Sequence, residues 1–114
     1  MKKIIVVGGG WSGCAAAISA KRAGAEVIVL ERTDMLLGTG LVGGIMRNNG
    51  RYTATEEIIA MGGGDLFEIC DKSARHTNID FPGHKHANLY DIAKTHGEVL
   101  EHMVSLGIEI LFNI

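Results

Sequence analysis

The run KIIVVGGGWSGCAAA, residues 3–17, leaves few folds open. From Lys3 to Val7 the chain is mostly β-branched and unbroken, which is the pattern of a parallel strand buried on both faces. It stops on glycines and passes directly into an alanine-rich stretch, Ser12 to Ala23, which Gly24 should close as a helix with a left-handed cap. Glu26 to Glu31, EVIVLE, reads as a second strand. Strand, helix and strand within about thirty residues make a right-handed βαβ unit, because a right-twisted strand feeds a helix back onto its sheet only that way.

Beyond Glu31 comes a glycine-rich loop, LLGTGLVGGIMRNNG, too poor in polar turn residues for an ordinary surface linker and expected to lie against something. Thr53 and Glu56 have the spacing of a capping box, so a helix should start there and stop at Gly62, Gly63 and Gly64. Asp65 with Glu68 repeats that signal for a short helix reaching about Arg75, with Asp65 as its N-cap. His76 to Ala87 has little periodicity and reads as loop. From Asn88 an amphipathic helix is expected, with Leu89, Ile92, Ala93, His96, Leu100 and Met103 on one face. Gly107 should end it, and IEILFNI is a third strand. The expected fold class is therefore α/β and Rossmann-like: a three-stranded parallel sheet, a crossover helix and a helical insertion, in a single domain spanning residues 1–114 that is incomplete.

Gly8, Gly10 and Gly13 form GxGxxG directly after the first strand and at the opening of the helix, the context that gives that spacing meaning. The first glycine permits the tight turn, the second lets backbone approach a pyrophosphate, and the third lets the helix pack on the strand. A bound phosphate then meets unpaired N–H groups and the positive end of the helix dipole. Glu31 lies 23 residues after Gly8, where an acid takes the two ribose hydroxyls of an adenosine. Its charge disfavours the 2′-phosphate of NADP, an effect tempered by Arg32 beside it.

Eleven basic and thirteen acidic side chains give a net charge of −2 without a long run of either sign. That is no footprint for nucleic acid or anionic lipid, so a small molecule is the expected partner. The apolar start is too short for a signal-peptide core or a membrane span, and a cytoplasmic location is expected.

The run IIVVGGGWSGCAAAISAKRAGAEVIVLER resembles the N-terminal FAD-binding segment of two-domain flavoprotein oxidoreductases, in particular the FAD-dependent oxidoreductases that are similar to fumarate reductase flavoproteins. The cluster LLGTGLVGGIM is similar to the loop that these proteins place over the cofactor, and LYDIAKTHGEVLEHMVSLGIEILFNI to a later helix and strand. The resemblance implies that Gly8, Gly9, Gly10 and Gly13 hold the pyrophosphate of FAD, that Trp11 and Ser12 present backbone N–H groups, and that Glu31, with Arg32 adjacent, takes the ribose. It also implies that Gly38, Thr39 and Gly40 approach the pyrophosphate or ribityl chain, with Leu37 standing where the family often has another glycine. Such flavoproteins return to the cofactor with an ATG segment and a strand ending in Gly-Asp, neither of which is found here. The chain then reads as the N-terminal part of a longer enzyme acting on a small-molecule substrate, or as one subunit of a split flavoprotein. An NAD-dependent dehydrogenase domain and a nucleotide-binding subunit without chemistry of its own remain alternatives.

No side chain is identified as a catalytic acid or base. Cys14 at the helix start could be a redox thiol, but no resolving cysteine is near and a packed core residue is the better reading; Cys70 is likewise expected buried and reduced. His84 and His86 lack further ligands at metal spacing, so no metal is expected. His96 reads as a hydrogen-bonded core histidine, and His102 should face solvent. Arg47 and Arg51 read as a solvated turn, with an acidic substrate or the flavin edge as the sharper possibility.

Overall fold

The computed structural model describes residues 1–43, 47–48, 55–60, 62–81 and 84–114. Its elements in chain order are β1 (Lys3–Val7), α1 (Trp11–Arg22), β2 (Glu26–Leu30), β3 (Arg47–Asn48), α2 (Thr55–Ala60), α3 (Asp65–Ser73), β4 (Ala74–Phe81), β5 (His84–Tyr90), α4 (Ile92–Ser105) and β6 (Glu109–Leu111). β1, α1 and β2 are the expected βαβ unit. The two strands run parallel in register from Lys3 opposite Glu26 to Val7 opposite Leu30. Gly24 closes the helix at φ 93°, as its left-handed cap requires.

β6 lies parallel on the other side of β2, giving the sheet order β1-β2-β6. β2 is thus central, and its Val27 and Val29 are fully buried with Cys14, Ala17 and Ile18 of α1 and Val99, Met103 and Ile108 from the α4–β6 end. Each such aliphatic side chain contributes about 1.5–3 kcal/mol through burial. The three-stranded parallel sheet with its crossover helix is the architecture read from the sequence.

β1 departs from expectation. Rather than being buried on both faces, it leaves Ile4, Ile5 and Val7 at 37%, 62% and 82% exposure. Among the described residues β1 is also an edge strand, paired with β2 alone.

The second correction is the segment read as loop between His76 and Ala87. Residues there form β4 and β5, an antiparallel pair that β3 extends in the order β3-β5-β4. Irregularities between Ala74 and His76, His76 and Ile79, and Ile79 and Phe81 break the register. Each bulge inserts a residue and flips the alternation, so no period of two survives in the sequence.

The helices differ at their ends. α4 begins at Ile92, not Asn88, because the Asp91 side chain accepts the Lys94 N–H at 3.0 Å and caps it. Asn88 and Leu89 belong to β5 instead. The buried face of α4 is Thr95, Val99 and Met103, while Ala93 is exposed. α3 stops at Ser73, two residues short of expectation, and its N-cap is Gly64; Asp65 is its first helical residue and caps nothing. A helix follows the capping-box signal as α2, although Thr53 itself lies outside the described residues.

Candidate cofactor site

β1 ends by delivering Gly8 to the top of the sheet, where its N–H donates to the Leu30 carbonyl at 2.7 Å and ties the turn to β2. Gly8 sits at φ 99°, a conformation that side chains oppose. α1 then starts with Gly10 as N-cap, without a side-chain cap and without an acid in its first turn. Its leading N–H groups are therefore left for an anion. At Gly13 an added Cβ would collide with the Gly8 carbonyl, so this glycine exists for close packing of helix on turn.

Gly10 is the opposite case. Its backbone, at φ −71° and ψ −173°, is ordinary extended chain, and a Cβ there would meet nothing within 4 Å. Among the described residues neither strain nor packing calls for glycine at this position, and the space in front of it, beside a helix terminus without a side-chain cap, is open.

Glu31 follows β2 and is only 6% exposed. Its Oε1 accepts the Gly9 N–H at 3.0 Å, and its Oε2 accepts both the N–H and the hydroxyl of Thr33, at 2.6 and 2.7 Å. Burial alone would raise this carboxyl; the Thr33 N–H and hydroxyl, the Gly9 N–H and the charge of Arg32 outweigh it, and the group is held below its ordinary value. Described residues engage three of the roughly four acceptor positions of Glu31. The side chain that spacing marked as a ribose acceptor is thus also the clamp of the glycine turn.

The loop after β2 folds back on the same turn. Leu37 donates its N–H to the Gly9 carbonyl at 2.7 Å, and Gly38 comes so near that its Cβ would lie 3.5 Å from the Gly10 Cα. Gly38–Gly40 is a single 3₁₀ turn, closed by N–H groups of Leu41 and Gly43 onto the Gly38 carbonyl. Leu37 takes φ 70°, the left-handed conformation that a side chain opposes and glycine adopts freely. Here the strain is offset by complete burial of the leucine side chain.

Gly8, Gly9, Gly10, Gly13, Glu31 and Gly38 are therefore brought together, and Trp11 and Ser12 supply the first helical turn. The Trp11 ring packs against Tyr90 at 5.7 Å, which leaves its backbone to the turn. Thr39 and Arg32 are exposed, and Arg32 acts on the site through its charge on Glu31. Sequence spacing missed Thr33, whose only signal was a hydroxyl two residues after the acid, and missed the partner of His96. That histidine is half-buried and accepts the Leu36 N–H on Nδ1 at 3.0 Å, so the expected hydrogen-bonded core histidine serves the loop.

Cys14 is fully buried and its thiol donates to the Gly9 carbonyl at 3.3 Å. Burial, with the Glu31 charge adding to it, pushes the thiol up to about 12, and Cys70 is pushed up to about 12 in the same way, so neither is a reactive thiolate. No group of three potential metal ligands occurs among the described residues. His84 and His86 lie on β5 rather than on a loop, Arg47 lies on β3, and Arg51 is outside the described residues.

His102 does not simply face solvent. It pairs with Asp65 of α3, which also accepts from Arg22 Nη2 at 2.7 Å. These three side chains line a cavity of about 550 Å³ with Phe67, Glu68 and Asp71. It opens at the far end of α1, about 16 Å from the glycine turn at the rise of an α-helix, and is a separate feature.

A glycine turn feeding an uncapped helix, with a buried acid after the second strand, defines a dinucleotide-binding α/β unit. A family model for FAD dependent oxidoreductases matches residues 3–114, and the chain belongs to that family. Among solved structures it is similar to CtdE in complex with FAD and a substrate, at 23% identity and a TM-score of 0.62, covering 99% of this chain and 30% of that one. It is also similar to the tetrameric form of 2-methyl-3-hydroxypyridine-5-carboxylic acid oxygenase, at 18% identity, TM-score 0.60, covering 99% of this chain and 32% of the other. THI4 of Thermovibrio ammonificans matches at 18% identity and TM-score 0.55, covering 97% and 38%. The chain thus spans about a third of the length of the structures it matches, and no curated protein matches it significantly in sequence.

Proposed function

We propose that this chain holds the ADP half of FAD as part of a flavin-dependent oxidoreductase acting on a small molecule. The observation that carries the reading is Gly10, whose missing side chain would meet none of the described residues, standing at the open end of a helix without a side-chain cap. The residues present fit the group. In this reading the N–H groups from Gly10 to Gly13 meet the pyrophosphate, Glu31 takes one ribose hydroxyl at its remaining acceptor position, and the turn at Gly38–Gly40 closes over the phosphates. FAD when bound supplies the redox chemistry, accepting a hydride or electron pair; this chain supplies position and charge. The buried, ionised Glu31 also disfavours a ligand carrying a 2′-phosphate.

The reading extends to the rest of the molecule. Among the described residues β1 pairs with β2 alone and leaves Ile5 and Val7 exposed, while the related structures are about three times as long. We take residues 1–114 as one N-terminal domain whose β1 is covered by later segments of a longer flavoprotein, or by a partner subunit, in the cytoplasm. Alone, the chain should hold FAD weakly, because the site reaches only the adenosine and pyrophosphate.

Gly10→Val tests this directly. Since the site of the new side chain is open, the variant should lose no more than about 1 kcal/mol of stability, the cost of a poorer helix N-cap, and should lose binding of ADP and FAD in calorimetry. Unaltered affinity in that variant overturns the placement of the phosphates. A preference of the unmodified chain for NAD over FAD would move the protein to the dehydrogenase reading.

A further inference from the structure

We propose that His96 is a positioning residue for the cofactor loop: its neutral imidazole, accepting the Leu36 N–H at Nδ1, holds residues 36–40 against the Gly9 and Gly10 turn, and protonation releases them. The inference rests on the reading of the site given above, and it adds a dependence on pH that the glycine motif does not contain.

The contact joins residues sixty positions apart and reaches from α4 to the loop. Leu36 and Leu37 are both fully buried, so the Leu36 N–H has no water to turn to when His96 withdraws. One residue on, Leu37 passes its own N–H to the Gly9 carbonyl at 2.7 Å, and Gly38 then touches the space beside Gly10. A short relay therefore runs from the imidazole through two consecutive amides to the place where the pyrophosphate lies. Leu37 is held at φ 70°, and both amides that lead into it are anchored, the Leu36 N–H by His96 and the Leu37 N–H by Gly9.

An imidazole that accepts at Nδ1 carries its proton on Nε2, and a second proton turns the acceptor into a donor facing a donor. The ring lies edge-on to Phe112 at 6.0 Å, an uncharged neighbour beyond β6. Asp34, in the segment after β2, is the charged group whose field reaches it. Burial lowers the basicity of His96 and Asp34 acts against it; burial prevails, so the ring is neutral at pH 7.

The test uses the 114-residue chain, isotopically labelled and titrated from pH 7.5 downward with millimolar ADP-ribose, whose doubly esterified pyrophosphate has no group that titrates there, over a range in which Glu31 stays ionised. Ring nitrogen shifts should report His96 as the Nε2–H form at pH 7.5, with the Leu36 amide protected from exchange. ADP-ribose affinity should fall about five- to tenfold as the same ring shifts report protonation of His96, the loss that goes with one hydrogen bond. His96→Gln keeps an acceptor that does not titrate, and should bind ADP-ribose with no such pH dependence. His96→Phe should bind weakly at every pH and lose Leu36 protection. An Nδ1–H ring, a wild-type affinity that stays flat while the ring takes up its proton, or the same fall in the glutamine variant overturns the proposal alone. Absence of any ligand-induced shift at Gly8–Gly13 at every pH overturns the functional reading together with it.

Discussion

The glycine turn and the segment between β3 and β5 are built on opposite terms. In the turn, backbone groups meet at fixed close range: Gly13 packs on Gly8, and Glu31 and Leu37 return to Gly9 from the end of β2 and the loop after it. In the other segment β4 and β5 pair in a register that is broken at three points. Local geometry leaves marks on residue type, since only glycine fits where a Cβ would strike a carbonyl. Irregular pairing leaves almost none, because any moderately polar residue will do.

The contrast breaks most forcefully at Gly13. Gly13→Ala puts a Cβ into the Gly8 carbonyl, and the helix must move off the sheet. A loss of about 3 kcal/mol or more in urea denaturation is expected, at the upper end for overpacking. Gly10→Ala, three residues away, should cost no more than about 1 kcal/mol, the loss that goes with alanine at a helix N-cap. Equal losses at the two positions would mean that both glycines serve packing, and the open space at Gly10 would lose its meaning.

Glu31→Gln comes next. The amide cannot accept from Gly9 and Thr33 at once, so a stability loss of about 1–3 kcal/mol is expected, with a similar loss in ADP affinity. The sign with pH follows from the direction of the shift. Glu31 is held below the 4.5 of the unfolded chain, so its contribution is fully present above that value and disappears as pH falls through the folded value. An acid titration of stability should be shallower in the glutamine variant. Identical acid limbs would show that Glu31 is not the clamp that its three hydrogen bonds describe.

The same contrast explains what could be read in advance. β1, α1, β2 and β6 follow from apolar runs and glycine stops, and GxGxxG with Glu31 follows from spacing fixed by backbone geometry. β1's exposure could not be read, because apolar composition says that a strand wants cover and not whether a neighbour supplies it. Thr33, the His96 to Leu36 bond and the Asp65 cluster were illegible for one reason: each is an ordinary polar residue whose partner is chosen by the fold.

The smallest effect should come from Asp65→Asn, and its size separates two pictures of α1. Asp65 joins three helices, taking Arg22 of α1 and His102 of α4 from the first turn of α3. Its own side chain is 10% exposed, but Arg22 is 48% and His102 29% exposed, so solvent screens both partners. Pairs of that kind contribute up to about 1 kcal/mol, and the lost charge at a helix N-terminus adds about 0.3–1 kcal/mol. A total near 1 kcal/mol, read by thermal unfolding, is therefore expected. ADP affinity should not change, because α1 separates this cluster from the glycine turn by its whole length and nothing described at Asp65 reaches the turn. If the variant instead binds ADP more weakly while keeping its stability, α1 must shift as a rigid rod between its two ends. The cluster would then belong to the cofactor site, and the division between a locally encoded turn and a fold-encoded remainder would fail at the helix they share.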